Sequence, residues 1–129
     1  MSVYLFNVTL PGCPPPKKNS RRVFARGRRV LSLPSVRHEV WYAEMMPRVL
    51  KGWHGRPLDC VKVELNYYLP DRRRRDLTNM SESVMDLLVK ARIIKDDDVF
   101  HVPDVHLVCH GVDKVSPRVE VCITFVPKE

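Results

Sequence analysis

The apolar residues of this chain change period once in its middle, and that change limits what the chain can fold into. Over residues 60–69, Val61, Val63, Leu65 and Tyr67 fall on one side and Lys62, Glu64 and Asn66 on the other. That alternation is the mark of a half-buried strand. Over residues 76–91, Leu77, Met80, Val84, Leu87, Leu88 and Ala91 recur at helical spacing, with Asp76, Asn79, Glu82, Ser83 and Asp86 on the opposite face. This is an amphipathic helix. A one-faced strand and a one-striped helix must bury their apolar sides against something, and here each is the other's neighbour in sequence. Four consecutive arginines, Arg72, Arg73, Arg74 and Arg75, separate them.

The flanking sequence extends the same plan. Residues 3–10 are rich in β-branched and aromatic side chains and end at Pro11-Gly12, which predicts a first strand. Residues 11–22 hold four prolines and then a basic run, and read as an extended loop. Residues 23–25 and 30–32 suit a short hairpin with a basic tip formed by Arg26, Gly27, Arg28 and Arg29. Ser35 is placed to cap a helix running through Val36, Val40, Trp41, Met45 and Leu50, with Pro47 expected to kink or end it. Residues 99–112 and 119–126 read as two closing strands, expected to be antiparallel partners. The order gives an α+β domain with a mixed sheet and two main helices, one unit over residues 1–129, a length suited to one modest core.

No run approaches the roughly 20 apolar residues of a membrane span, and the N-terminus lacks the basic start of a signal peptide. A cytoplasmic protein is expected. The four cysteines, Cys13, Cys60, Cys109 and Cys122, form no CxxC pair and read as reduced and mostly buried. Cys109 with His106 and His110 has no evident fourth ligand, which argues against zinc.

The formal net charge is +7, which favours a polyanionic partner, nucleic acid first. Arginine clusters bind phosphates, and clustered carboxylates hold hard divalent metals. Both occur here within one segment, where the arginines lead into Asp76 and the helix leads into Asp96, Asp97 and Asp98. Metal-dependent nucleases need such acids to converge on the scissile phosphate. At about 1.5 Å per residue the helix holds Asp76 and Asp97 about 20 Å apart, unless residues 93–98 fold back along it. From the residues alone a plainer account stands beside this one. Asp76 would be a helix cap, the three later acids a solvated turn, and the arginines an exposed loop countered by Asp71 and Asp76. Lys17, Lys18, Arg21 and Arg22 form a second basic cluster suited to phosphate contacts without base readout.

The stretch Leu69-Pro70-Asp71-Arg72-Arg73-Arg74-Arg75-Asp76-Leu77-x-Asn79, then Asp86-x-Leu88, then Asp96-Asp97, resembles the signature of the RusA family of Holliday junction resolvases. That family typically reads P-D-R-R-R-R-D-L-D-N-x-x-K-x-x-x-D-x-L, followed by a D-D pair after an apolar turn. The match is ungapped over about a quarter of the chain and specific in its spaced acids. The resemblance implies a small homodimeric α+β endonuclease, phage- or prophage-encoded, that resolves four-way DNA junctions with Mg²⁺, Mn²⁺ being the alternative ion. It implies metal-binding or catalytic roles for Asp76 and Asp97, with Asp96 beside the latter. Two positions depart from the pattern. Thr78 stands where an acid is usual and Glu82 where a lysine is usual. Glu82 lies near Asn79 and Asp86 on the polar helix face and can restore the missing carboxylate. The metal set read from these residues is therefore Asp76, Glu82, Asp86, Asp96 and Asp97. The alternative is a catalytically decayed module that binds branched DNA without cutting it.

Overall fold

The computed structural model describes residues 4–16, 21–26, 29–34, 36–53 and 55–126. Along the chain the elements are β1 (Phe6–Pro11), β2 (Arg21–Arg26), β3 (Arg29–Pro34), α1 (Val36–Lys51), β4 (Val61–Leu69), α2 (Leu77–Lys90), β5 (Asp104–Val112) and β6 (Arg118–Phe125). Four strands form a mixed sheet in the order β1-β6-β4-β5, and β2 pairs with β3 in a separate two-stranded ribbon. The ribbon is antiparallel with Arg26 opposite Arg29. The predicted tip residues Gly27 and Arg28 lie outside the described residues, as does the predicted cap Ser35.

The predicted alternation in β4 is met in full. Val61, Val63, Leu65 and Tyr67 are each 0% exposed, and the residues between them are half-buried. The buried face joins one core with Trp41, Met45 and Val49 of α1 and Met80, Val84, Leu87 and Leu88 of α2. Two buried hydrogen bonds fix α2 in place. Tyr67 Oη and Ser81 Oγ lie 2.7 Å apart, and Ser83 Oγ donates to the Pro15 carbonyl at 2.5 Å. Ser83 thus belongs to the buried side of α2, against the expectation that put it on the polar face. A small hydroxyl can be buried at little cost once a backbone acceptor receives it. Pro14 and Pro15 are buried too, so the proline half of the expected open loop is part of the wall around α2.

Further expectations change. The closing strands run in opposite directions but do not pair. β4 lies between them, antiparallel to β6 and parallel to β5. A parallel neighbour requires a crossover, and α2 is that crossover. β5 also starts later than expected, because Val99 and Phe100 lie in a turn and are 67% and 81% exposed. α1 runs through Pro47 to Lys51. Pro47 removes one backbone donor, and the following turn is kept by Val49, which is fully buried. Val36, Val40 and Leu50 lie on its exposed side instead of in the core. The cysteines are free as expected, with Cys60 and Cys109 exposed and Cys13 and Cys122 half-buried, so the expected burial fails for the first two and is partial for the others.

The return after α2 is a Schellman turn. Ala91 is the C-cap, Arg92 N–H donates to Val89 O at 3.0 Å, and Ile93 N–H donates to Leu88 O at 3.0 Å. Arg92 sits at φ 61°, the left-handed region that favours glycine. Ile93 and Ile94 are then buried and held by Leu58, whose N–H donates to Ile93 O at 2.8 Å. Arg92→Gly should raise stability by roughly 0.5–1 kcal/mol, the left-handed cost relieved less the extra freedom of glycine in the unfolded chain. Urea denaturation checks this, and a destabilised variant would mean that the Arg92 side chain contributes more than its backbone conformation costs.

Candidate active site

The arginine run begins where β4 ends, and a short-range carboxylate shapes it. Asp71 Oδ1 accepts from Arg73 N–H at 2.9 Å and from Arg75 Nη1 at 2.7 Å. Arg75 Nη1 also reaches the Arg73 carbonyl at 3.3 Å. Its guanidinium therefore folds the loop back on itself. The Arg75 guanidinium and the Arg73 amide hold the Asp71 carboxyl down at about 2. Arg72, Arg73 and Arg74 remain exposed. Of the four, Arg75 is a loop-shaping residue, and the other three face solvent.

Asp76 is the N-cap of α2, at φ −98° and ψ 115°. Its Oδ1 accepts from Thr78 N–H at 3.0 Å, Asn79 N–H at 3.4 Å and Thr78 Oγ1 at 2.7 Å. The capping reading of Asp76 is therefore correct as far as it goes. Capping leaves the residue exposed, so it is compatible with a second role. Thr78, standing where an acid is usual, turns its hydroxyl to Asp76.

The acids at the other end do return along the helix. The buried Ile93–Ile94 pair draws the chain back beside α2, and Asp97 comes to line a groove of ≈ 390 Å³ with Thr78, Ser81, Glu82 and Met85 on the helix and Val105 and Leu107 on β5. Glu82 and Asp97 thus share one groove. Asp76 reaches it through Thr78 and itself lines an adjoining cleft with Arg73, Arg74 and Asn79. Asp96 Oδ1 accepts from Asp97 N–H at 2.8 Å and orients that turn.

Asp86 is engaged elsewhere. It accepts the Tyr42 hydroxyl of α1 and pairs with Lys90 at 3.3 Å, while Lys90 Nζ sits 4.9 Å over the Tyr42 ring. Burial and the Asp86 carboxylate push the Tyr42 phenol well up, so it stays a donor. Asp86 fastens α2 to α1 and does not line the groove.

Among the described residues, the three ligand groups gathered within 4.8 Å of one another are Asp96, Asp98 and His101. Sequence reading did not single out His101. Its Nδ1 lies 2.6 Å from Asp98 Oδ1, which also accepts from Phe100 N–H and His101 N–H at 3.0 Å each. The Asp98 hydrogen bond raises the His101 pKa, and the same contact lowers that of Asp98. His106 pairs with Asp104 at 2.9 Å, and His110 Nε2 lies 2.7 Å from Asn66 Oδ1 while its ring stacks on Tyr68. Strand alternation puts Cys109 on the other face from these two, which removes the zinc set. Lys17 and Lys18 lie outside the described residues, and Arg21 and Arg22 are described only as backbone in β2. A site-facing residue that the sequence did not suggest is Arg37, on the first turn of α1 in the cleft with Asp76. Its signal was a cation at a helix N-terminus, where the dipole disfavours one.

The family model described as "Endodeoxyribonuclease RusA" matches residues 11–124. The chain is 33% identical to a crossover junction endodeoxyribonuclease RusA of Aquifex aeolicus, over 92% of this chain and 90% of that protein. It is also 33% identical to the proteins of the same name from Enterobacteria phage 82 and Escherichia coli K12, over 96% of this chain and 98% of each relative.

The Asp71–Arg75 tie has a measurable consequence. The folded pKa of Asp71 lies below its unfolded value, so what the tie contributes is present above the ordinary carboxylate range and is lost as pH falls toward about 2. Carboxyl NMR titration should find the Asp71 midpoint at about 2, and Arg75→Ala should return it toward the ordinary value. An unmoved midpoint in that variant would show that Arg75 does not shape the loop.

Proposed function

The chain belongs to the RusA endodeoxyribonuclease family, and from that premise we propose that it is a metal-dependent endonuclease that resolves four-way DNA junctions. The observation that carries this is the joining of Glu82 and Asp97 in one groove, tied through Thr78 to Asp76, which lines a cleft with Arg73, Arg74 and Arg75. An all-oxygen, carboxylate-rich donor set suits a hard divalent ion, and Asp76, Glu82 and Asp97 are the residues we assign to hold it, with Mg²⁺ or Mn²⁺ as the ion. Such an ion supplies an activated water and neutralises charge developing on the scissile phosphate. The chain's own residues do the remainder. Thr78 orients Asp76 through its hydroxyl, Asp96 fixes the turn that presents Asp97, and Asp86 serves the helix contact. Arg72, Arg73 and Arg74 bind the DNA backbone without reading bases. Glu82 takes over the carboxylate that Thr78 lacks.

Residues 1–129 act as one endonuclease domain in this reading. Two symmetric nicks in a two-fold junction call for a homodimer. No helix among the described residues is long and apolar enough to cross a membrane. A junction substrate fits work in recombination and repair in the cytosol of a bacterial or phage-infected cell.

The test is cleavage of a synthetic four-way junction with and without Mg²⁺. The wild type should nick it symmetrically, as a dimer by light scattering. Asp97→Asn, Asp76→Asn and Glu82→Gln should each lose at least the roughly 10- to 100-fold activity that follows from disturbing even an outer-shell partner of a metal, while still binding junction. Asparagine caps helices about as well as aspartate, so Asp76→Asn separates the metal role from the cap. A wild type that binds but never cuts would identify the decayed alternative. Full activity in Glu82→Gln would remove Glu82 from the ligand set.

A further inference from the structure

We infer that Arg37 of α1, with Arg73 and Arg74, holds a backbone phosphate of the DNA strand next to the phosphate that Asp76 serves. The inference rests on the nuclease reading above and adds a phosphate ligand from outside the arginine motif. These residues line a cleft of ≈ 240 Å³ beside the N-terminus of α2, with Pro14 and Cys13 on its far wall. The cleft is built and not incidental. Ser83 anchors the Pro15 carbonyl at 2.5 Å, and the Cys13 thiol meets Met80 Sδ at 3.5 Å, so the proline segment is fixed against α2. Cys13, Arg37 and Arg75 line this same cleft.

The charge in this cleft is unbalanced. Arg75 is matched by Asp71. Among the described residues, Arg37, Arg73 and Arg74 form no ion pair with a carboxylate. Asp76 is the one acid among the described lining residues, and its Oδ1 already accepts three hydrogen bonds. Three guanidiniums against one engaged carboxylate call for an anion. The position of Arg37 points the same way, since a cation in the first turn of a helix opposes the dipole. The cleft continues into a shallow surface past Arg74, Asp76 and Asn79. An extended strand can therefore pass through, as a free phosphate ion would not require.

Binding of a four-way junction should be measured against KCl concentration in chelated buffer, where nothing is cut. Arg37→Ala should flatten the salt slope by about 0.9, and Arg37→Lys, which keeps the charge, should retain the slope. Arg48→Ala, in the exposed last turn of α1, should behave as wild type. Junctions with one neutral methylphosphonate at successive positions locate the contact. At one position the substitution should weaken wild type and leave Arg37→Ala unaffected. Equal losses in both proteins at every position, or an unchanged slope in Arg37→Ala, would overturn the assignment while leaving the nuclease reading intact. A wild type with no junction affinity would overturn both.

Discussion

The seam between β4 and α2 is the constraint on which the rest of the molecule depends. Four side chains of β4 and three of α2 are wholly removed from solvent along it, and each such aliphatic or aromatic residue contributes about 1.5–3 kcal/mol. The Tyr67–Ser81 hydrogen bond sets how far along the strand the helix sits. Because α2 is fixed, its N-cap is Asp76, its flank presents Glu82, and its far end starts the turn that brings Asp97 back. Sliding the helix by one residue would rotate Glu82 by about 100° and separate it from Asp97.

The charged groups are arranged by equally local means. Asp71 shapes the arginine loop, Asp76 caps the helix, and Asp96 and Asp98 each close their own turn through backbone donors. These carboxylates are exposed or half-exposed, so each bond is worth little to global stability. Their effect is on direction. A loop of four arginines would repel itself, and binding Arg75 to Asp71 leaves its neighbours exposed. Arg73 and Arg74 therefore line one cleft with Asp76.

Much of this was readable beforehand where the signal is local. The switch from alternating to helical spacing located β4 and α2 to within a residue at either end, because the apolar face of each meets the same core. The arginine run and the spaced acids pointed to the right family. Other features were misread for physical reasons. Ser83 looked polar by type, yet a single carbonyl from a distant proline satisfies it. Pro47 looked like a terminator, yet burial of Val49 outweighs one lost hydrogen bond. Asp86 matched the spacing of a ligand, and a tyrosine on the other helix had first claim on it. Arg37 carried no motif at all.

The sequence by itself determined the elements, the sign and place of the charge, and the family. These follow from periodicity and composition, which act over a few residues. Only the tertiary structure decided that β5 pairs with β4 and not with β6, since strand order is a choice among distant partners of similar chemistry. It also decided that Asp97 returns to Glu82. That return depends on Arg92 accepting a left-handed backbone so that Ile93 and Ile94 can be buried against Leu58. The energy that bends the chain there comes from a contact more than thirty residues away in sequence, beyond the reach of any local pattern.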